Sequence, residues 1–418
     1  MLRQRGRVGL MAAALVGLVV GGAQAQVTTD RSASILVFPK VISDGTRDTI
    51  IQITNTSNSM VHAHCFYVNG APTDLTFPPG PLNPPLWTEV DFNIVLTKQQ
   101  PTHWVASVGR LVDPTDPPCD NNPPFYNCNG AGIDPGEGFG GVGVPPVQEF
   151  FTGELKCIEV DASGAPVSGN HLKGEATLVT FDICDPFSET CVLSGVECTD
   201  NGDCEDDPAD FDVAKYNALG IVGNENNDGD GILCLGGEPS DECPQGAEYD
   251  ACPATWIANI YADDAPDVVH ASVNEDIPDD SAVDTSFTFV PCTENFETQN
   301  PTSLTIFIQA YNEFESAFSA ITNVTCWADL DLEDISNIFN YTNPMGSTFV
   351  QTRLRPSAQT QSGFLMVGEE FHEVDTDPAD TKTWTSSAAV NYHVEGERVG
   401  PDIITIPPEQ ISNGAGTP

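Results

Sequence analysis

The stretch Thr49–Val68 reads TIIQITNTSNSMVHAHCFYV and carries the pattern on which the fold assignment depends. Two runs rich in β-branched and aromatic residues, Thr49–Thr54 and Val61–Val68, flank a polar segment of Asn, Thr and Ser. Runs of this length and composition, separated by turn-forming residues, are typical of β-strands. The stretch therefore predicts two consecutive strands joined by a turn.

The same pattern recurs along the chain, where short apolar runs alternate with Pro, Gly, Asn and Asp. Further runs are Ser34–Phe38, Trp104–Val112, Glu154–Val160 and Glu175–Phe181. The chain contains 33 Pro and 36 Gly, which favours short strands and turns over long helices. Only Phe211–Leu219 and Glu313–Ile321 are candidates for short helices. We therefore expect an all-β protein.

Four short motifs occur in the same order in both halves, which indicates a duplicated β-domain. The first half has IQITN from Ile51, then Cys-Phe, Phe-Asn and a Glu-Val-Asp from Glu159. The second half has IQAYN from Ile308, then Cys-Trp, Phe-Asn and a Glu-Val-Asp from Glu373. The duplication predicts that Ile51 superposes on Ile308, and Glu159 on Glu373.

In the first half, a hydrophobic strand leads into TNTSN and is followed by a strand with a cysteine near its end. This arrangement resembles the B–C region of many extracellular immunoglobulin-like sandwiches. The resemblance implies two tandem immunoglobulin-like β-sandwich domains, over residues 26–181 and 285–407. Neither half has the Cys…Trp…Cys framework at the expected spacing, so no family is named.

The segment between the halves, residues 182–284, is rich in cysteines and acidic clusters and poor in apolar residues. Its cysteines are Cys184, Cys191, Cys198, Cys204, Cys234, Cys243 and Cys252. A segment with so few core residues is stable only when it is crosslinked, bound to metal, or packed on neighbouring sheets. We expect an irregular, disulfide-rich acidic insert here.

The chain has 13 cysteines, an odd number, so at least one is not in an intramolecular disulfide. The expected pairs are local in the cysteine-rich segments and link strands inside the sandwiches. They are Cys119–Cys128, pairs among Cys184, Cys191, Cys198 and Cys204, and either Cys65–Cys157 or Cys292–Cys326.

Residues 1–25 have the features of a secretory signal peptide. Three arginines precede the apolar run Val8–Val20, and Ala-Gln-Ala precedes Gln26. We therefore expect cleavage after Ala25 and a secreted, extracellular or cell-surface protein, with the periplasm as an alternative. An extracellular environment permits disulfides. No second apolar run approaches the ~18 residues of a membrane span, and residues 408–418 are expected to be a flexible tail.

The formal net charge is −46, from 61 acidic and 15 basic side chains. A field this negative repels nucleic acid and anionic membranes and attracts metal cations. Nucleic acid is therefore not an expected partner. The alternative is that the acidity only keeps a secreted protein soluble.

The segment NENNDGDGIL, from Asn224, resembles the first half of EF-hand, dockerin and thrombospondin-type calcium loops. Oxygen donors alternate at Asn226, Asp228 and Asp230, and a glycine follows where the loop turns. The backbone carbonyl of Ile232 and the carboxylate of Glu238 complete the predicted calcium ligands. The bidentate acid of an EF-hand is missing at its usual position, which predicts weak binding. A plain Asn/Asp/Gly turn is the alternative.

Two other clusters could carry chemistry. His62 and His64 share one face of a predicted strand, and a third metal ligand would be His103 or His171, although an ordinary hydrogen-bonded pair is the better interpretation. In EEFHE, starting at Glu369, the first, third and fifth residues share one face, and Glu370 and His372 share the other. Acids on adjacent positions are more often a solvated strand face than a catalytic pair.

The sequence lacks the nucleophile elbow G-x-S-x-G, the zinc motif H-E-x-x-H, a phosphate-binding glycine loop and paired CxxC motifs. We therefore expect a secreted, non-catalytic binding or structural protein of the surface or adhesion type, stabilised by calcium. Its partner would be an extracellular protein or carbohydrate. The alternative is a secreted hydrolase whose active site is assembled at strand ends, from Glu370 and His372 or from acids near Asp161.

Overall fold

The computed structural model describes residues 27–73, 85–110, 144–148, 150–181, 184–185, 190–191, 211–267, 282–358, 360–375, 383–389 and 392–407. The strands of the first half are β1 (Ile35–Ser43), β2 (Arg47–Asn55), β3 (Val61–Asn69), β4 (Thr88–Leu96), β5 (Pro101–Val105), β6 (Phe151–Val160), β7 (Leu172–Phe181), β8 (Cys184–Asp185), β9 (Thr190–Cys191), β10 (Phe211–Asn217) and β11 (Leu219–Ile221).

In the fold, the second half begins at β12. Its strands are β12 (Ile232–Leu235), β13 (Pro253–Tyr261), β14 (Ala265–Pro266), β15 (Ala282–Pro291), β16 (Glu294–Asn295), β17 (Ser303–Asn312), β18 (Ala317–Thr325), β19 (Ala328–Asp331), β20 (Phe349–Pro356), β21 (Phe364–Asp375), β22 (Thr383–Ala389), β23 (Tyr392–Glu397) and β24 (Asp402–Thr405). One helical turn, α1 (Leu332–Ile335), follows β19, and the short turns Asn337–Phe339 and Tyr341–Met345 come next.

The all-β prediction is confirmed, and the strands form small sheets in a propeller-like ring of five blades. Sheet 1 has the order β11-β1-β6-β3-β4, and sheet 2 the order β10-β7-β2-β5. Sheet 3 is β18-β17-β20-β13-β23, and sheet 4 is β14-β15-β21-β22, with β19 also paired to β15. Sheet 5 is β12-β24-β16, and β8 pairs with β9 as a separate ladder.

Both helix predictions are wrong. Phe211–Asn217 is β10 and Ala317–Thr325 is β18, each antiparallel to a neighbouring strand. In β10, the buried residues Ala214 and Tyr216 are two positions apart, and the intervening Lys215 is exposed. This spacing has the period of a strand, so pairing with β7 overrides the weak helical preference.

Sheet 1 is buried on both faces. In β1, Leu36 and Phe38 pack into the core shared with sheet 2, whereas Ile35 and Val37 pack into the core shared with the second half of the chain. β3 and β6 divide their side chains in the same way. A strand that is apolar on both faces is typical of a central layer, and sheet 1 therefore joins the two halves.

The disulfide Cys65–Cys157 is confirmed, but it differs from the immunoglobulin pattern. The two residues are directly opposite each other on β3 and β6, with 4.0 Å between their Cα atoms. The bond therefore links neighbouring strands of one sheet, whereas the antibody disulfide links two sheets. Two tandem immunoglobulin-like sandwiches are not confirmed.

Residues 182–284 contain regular strands where the sequence predicted an irregular insert. β10 and β11 complete the edges of sheets 2 and 1, and β13 is an inner strand of sheet 3. These segments were missed because each depends on a partner distant in sequence. The described part of the segment packs on neighbouring sheets, one of the three routes to stability considered above. The predicted domain boundaries stay a prediction.

Two further disulfides differ from the expected pairs. Cys234 bonds to Cys243, and Cys252 bonds to Cys292. Cys292–Cys326 is therefore wrong, and Cys326 is a buried free thiol. In the β8–β9 ladder Cys184 is opposite Cys191. Cys119, Cys128, Cys198 and Cys204 lie outside the described residues, as do residues 1–26 and 408–418.

The duplication is not tested, but the two IQxxN motifs share a local role. Asn55 ends β2 and Asn312 ends β17. The Asn55 side chain accepts a hydrogen bond from the Ser57 N–H, and that of Asn312 accepts one from the Phe314 N–H. In both halves the motif is therefore a strand followed by an asparagine-stabilised turn.

Two buried ion clusters join sheet 1 to the second half. In the first, Lys156 of β6 binds Glu154 of the same strand and Glu294 of β16, and all three side chains are inaccessible. Phe66 of β3 stacks on Phe296 beside this cluster, with 4.4 Å between the ring centroids. Residues from both halves thus share one desolvated charge cluster, which is costly to separate.

The Lys156 cluster holds two carboxyl groups and one cation. Burial, followed by the charge of Glu154, raises the pKa of Glu294 well above its ordinary value, and the charge of Lys156 does not offset them. Glu294 is therefore protonated in the folded protein at a pH at which an unfolded glutamate is ionised. Folding becomes less favourable as the pH rises from about 4.3 toward the folded pKa.

We predict that Glu294→Gln removes this part of the pH dependence, because glutamine resembles the protonated acid and can still donate a hydrogen bond to Glu154. The variant should gain on the order of 1 to 2 kcal/mol relative to the wild type between about pH 5 and pH 8. Urea unfolding at both pH values measures the difference. The control is Glu297→Gln, an exposed glutamate on the same loop. If the free energy of unfolding changes equally with pH in the wild type and in Glu294→Gln, the protonation of Glu294 in the folded protein is contradicted.

Candidate functional site

The predicted calcium loop precedes β12 and is shaped by a series of side-chain turns. The carboxylate of Asp228 accepts a hydrogen bond from the Asp230 N–H at 3.2 Å, and that of Asp230 accepts one from the Ile232 N–H at 2.8 Å. Gly229 and Gly231 have positive φ angles of 73° and 88°. These two glycines let the chain turn sharply at positions where a Cβ atom would be strained.

Glu248, which the sequence did not indicate, holds the backbone of this loop through hydrogen bonds. Glu248 is buried, and its carboxylate accepts hydrogen bonds from the N–H groups of Asp228 and Cys234, at 3.1 and 3.0 Å. Burial raises the pKa of Glu248, and the charges of Asp228 and Asp230 raise it further. The Cys234–Cys243 disulfide holds the adjoining chain. Three carboxylates therefore lie at this loop.

Asn226, Asp228 and Asp230 are together in one turn, as predicted, and their side chains are exposed. Ile232 begins β12, directly after the turn. Glu238 comes after the end of β12, and a strand of this length separates the two ends by roughly 10 Å. The structure therefore offers Glu248 at the loop, and Glu238 lies toward the other end of the strand. Calcium binding at this loop stays a prediction.

The four histidines proposed for a metal site are in separate local settings. His64 is buried and bonds to Asp91, and His171 bonds to Glu159. His62 is on the same strand as His64, whereas His103 is on β5 in sheet 2. Among the described residues, the only His, Cys, Asp or Glu atoms that converge within 4.8 Å in a group of three are those of Cys252, Cys292 and Asp402. Those two cysteines form a disulfide.

The EEFHE motif lies in β21 with the predicted alternation of faces. Glu369 and Phe371 point toward Lys40 and Arg47, which belong to the first half. On the opposite face, Glu370 accepts a hydrogen bond from the Tyr261 N–H, and His372 pairs with Asp267 at 2.8 Å. Glu370 and His372 are thus held by structural partners.

An acidic cleft of about 500 Å³ opens where the two halves meet. We use this name for the space lined by Lys40, Thr46, Arg47, Thr180, Asp212, Asp263, Asp264, Asp284, Ser286, Asp329, Asp331, Glu333 and Phe371. The second half contributes most of its carboxylates, from the end of β13, from β15 and from β19. The first half contributes its two cations.

Both cations of the cleft are already paired. Lys40 Nζ lies 2.8 Å from a carboxylate oxygen of Asp329 and 2.8 Å from one of Glu369, and Arg47 also binds Glu369. Burial would raise the pKa of Asp329, but the charge of Lys40 and its hydrogen bond keep that pKa below its ordinary value. This is the second buried ion cluster, and its charges balance.

The other cleft carboxylates face one another. Burial, followed by the charges of Asp264 and Asp284, raises the pKa of Asp263 to about 6. Burial and the charge of Asp329 raise the pKa of Asp331 to about 6 as well. Raised pKa values are found at functional sites and also in structural clusters of acids, so these two residues mark a candidate site. Asp329, Asp331 and Glu333 alternate in the sequence, which was the available signal for this cluster.

Comparison of the chain with protein-family models, with curated proteins and with solved structures gave no match. The function is therefore inferred from the geometry of the loop and the acidic cleft.

Proposed function

We propose that the protein is a secreted, non-catalytic binding or structural protein of the surface or adhesion type. The observation that carries this proposal is that the candidate catalytic side chains are hydrogen-bonded to structural partners. Glu370 and His372, the residues named for the alternative hydrolase, are held by backbone and carboxylate partners. Asp161 accepts hydrogen bonds within its own turn, from Ser163 and Ala165. No histidine or cysteine lines the acidic cleft among the described residues.

Secretion is the second part of the proposal. It is supported by the signal-peptide pattern of residues 1–25 and by three disulfides, Cys65–Cys157, Cys234–Cys243 and Cys252–Cys292. Disulfides persist mainly in oxidising compartments. Within the described residues, none of the helices is long and apolar enough to cross a membrane. The partner would be an extracellular protein or a carbohydrate.

Calcium is the third part. Asn226, Asp228 and Asp230 would supply side-chain oxygens, and Ile232 a backbone carbonyl. We add Glu248, whose carboxylate is hydrogen-bonded to the loop backbone. The net charge of −46 raises the local concentration of cations. A calcium ion would neutralise repulsion among Asp228, Asp230 and Glu248. Without a converging bidentate acid, we expect a Kd of about 10⁻⁴ to 10⁻³ M, as in extracellular modules.

We predict that Ca²⁺ at about 10 mM raises the melting temperature and slows proteolysis in the segment that contains the loop, because a ligand at ten times its Kd stabilises the folded state by about 1.4 kcal/mol. Mg²⁺ at the same concentration should have less effect, since it prefers a tighter octahedral site. Asp228→Asn with Asp230→Asn should abolish the calcium effect. The matched control is Asp241→Asn with Glu242→Gln, which removes two exposed charges of the same hairpin. If Ca²⁺ changes neither the melting temperature nor the proteolysis of the wild type, the segment is a plain Asn/Asp/Gly turn and the calcium proposal is wrong.

We also predict that the exported chain begins at Gln26. Expression with the native N-terminus, followed by fractionation and N-terminal sequencing, measures this. Replacing residues in Val8–Val20 with two aspartates should retain the protein inside the cell, because the apolar core of the signal is lost. An intact N-terminus on exported material would contradict the predicted cleavage, and a cytoplasmic wild type would contradict secretion.

The alternative, a secreted hydrolase, is favoured by one observation. Asp331 ends β19 and Asp263 follows β13, so two acids with pKa values near 6 stand at strand ends in one cleft. One of them could remain protonated while the other is ionised, as general acid–base hydrolysis requires. A panel of chromogenic glycosides and esters tests this alternative. Turnover that Asp263→Asn abolishes would replace the non-catalytic proposal.

A further inference from the structure

Three carboxylates on the second-half side of the acidic cleft, those of Asp263, Asp264 and Asp331, form no ion pair with a basic side chain among the described residues. Asp263 is only 5% exposed and lines the cleft, yet among the described residues no group donates a hydrogen bond to its carboxylate. Asp331 is exposed at the rim of the cleft and makes no capping bond at the start of α1, so its carboxylate is open to a ligand. Asp264 has one donor, the side-chain amide of Asn340, at 3.0 Å. A largely buried carboxylate without a donor is unfavourable, so the carboxylate of Asp263 is free to accept hydrogen bonds from a ligand in the cleft.

A ligand that binds Asp263 would be cationic, because each neighbour whose charge raises the pKa of Asp263 is an acid. Asp264, Asp284, Glu333 and Asp331 all raise its pKa. Lys40 and Arg47 cannot serve, since both are committed to Asp329 and Glu369. A cation placed here would relieve repulsion that the chain does not offset itself.

The spacing of the carboxylates distinguishes an organic cation from a bare metal ion. Calcium needs six to eight oxygens at 2.3–2.6 Å, which requires the ligand oxygens to converge closely. Among the described residues of the cleft, no three carboxylates bring ligand oxygens within 4.8 Å of one another. An ammonium or guanidinium group is larger and donates several hydrogen bonds in different directions. A volume of about 500 Å³ also exceeds what a single ion fills.

The wall of the cleft also suits the stem of such a side chain. Phe371 contributes a partly buried aromatic ring, and Arg47 already lies 5.2 Å from its centroid. Aromatic rings attract cations and pack against the methylene groups of lysine and arginine. The cleft thus combines a carboxylate floor with an apolar flank.

We propose that the acidic cleft binds lysine or arginine side chains presented by an extracellular protein partner. The inference rests on the proposed function, in that it names the chemistry of the partner of an extracellular binding protein. Asp263 and Asp331 are the residues that would contact the bound cation, and the exposed Glu333 also lines the cleft.

The test is titration calorimetry on the exported full chain at low ionic strength. The probe is a capped heptapeptide of alternating glycine and lysine, and the same peptide with glutamine in place of lysine is its control. The lysine peptide should bind and the glutamine peptide should not. Asp263→Asn with Asp331→Asn should weaken binding at least about tenfold, as expected for the loss of charge-assisted hydrogen bonds. The matched pair Asp241→Asn with Glu242→Gln changes the net charge equally and should weaken it less than about twofold.

Stability separates a lost site from a misfolded variant. Asp263→Asn with Asp331→Asn should melt no lower than the wild type, because it removes repulsion among the cleft acids. A lower melting temperature would overturn the premise that these acids are uncompensated. Equal weakening by both double variants would show that the peptide responds only to net charge, which also overturns the proposal.

Two further ligands test the class of cation. If spermidine binds as tightly as the peptide, the ligand of the cleft would be assigned as a free polyamine and not as a protein side chain. Ca²⁺ that displaces the peptide from the wild type would assign a metal site instead, provided that Asp263→Asn with Asp331→Asn loses one calcium site and keeps the calcium effect of the loop at Asp228 and Asp230. If the peptide fails to bind a chain that is exported and shows no turnover, this inference fails and the proposed function stands. A chain retained in the cytoplasm would contradict the proposed function, whether or not the peptide binds.

Discussion

The burial of sheet 1 on both faces is the constraint on which the rest of the structure depends. Its inner strands β1, β3 and β6 send alternate side chains into two different cores. One face is covered by sheet 2, which the first half supplies by itself. The other face can be covered only by residues of the second half, such as Trp256, Phe287 and Phe296. Neither half can therefore be removed without exposing a large apolar surface of the other.

Charged residues inside this junction make the arrangement specific. Apolar contacts alone would tolerate a shift between the halves, whereas Lys156 and Lys40 each require carboxylates at defined positions. Two contacts of Trp327 add to this requirement. The Trp327 indole N–H donates to the Pro39 carbonyl at 2.8 Å, and its ring packs so closely over Gly70 that a Cβ there would lie 2.6 Å from it. The halves therefore meet in one register.

The sequence predicted what depends on local alternation. Thr49–Thr54 and Val61–Val68 lie within β2 and β3, and the faces of Glu369 and Glu370 follow from a period of two. It did not predict β10, β11 or β13, because each becomes a strand through a partner distant in the chain. The Cys252–Cys292 bond was missed for the same reason. Burial on both faces of β1 could have been inferred from the apolar run Ile35–Phe38, which is also compatible with a strand in a simple sandwich.

The candidate site shows the same division. The turn at Asn226, Asp228 and Asp230 is local and was predicted, whereas Glu248 joins it only through the hairpin closed by Cys234–Cys243. The acidic cleft joins Asp263, which follows β13, to Asp331, at the end of β19. Their proximity comes from the packing around sheet 4, so no spacing in the sequence indicates it.

Scarcity of basic residues connects the loop with the acidic cleft. The chain has 15 lysines and arginines for 61 acids. Lys40, Arg47, Lys156 and Arg398 are committed to buried carboxylates, where an unpaired charge would be most unfavourable. Acids nearer the surface are then left to solvent and to external cations. Solvent suffices for isolated exposed acids, but Glu248 and Asp263 are buried beside other carboxylates. At these two positions an ion or a partner can supply the positive charge that the chain does not.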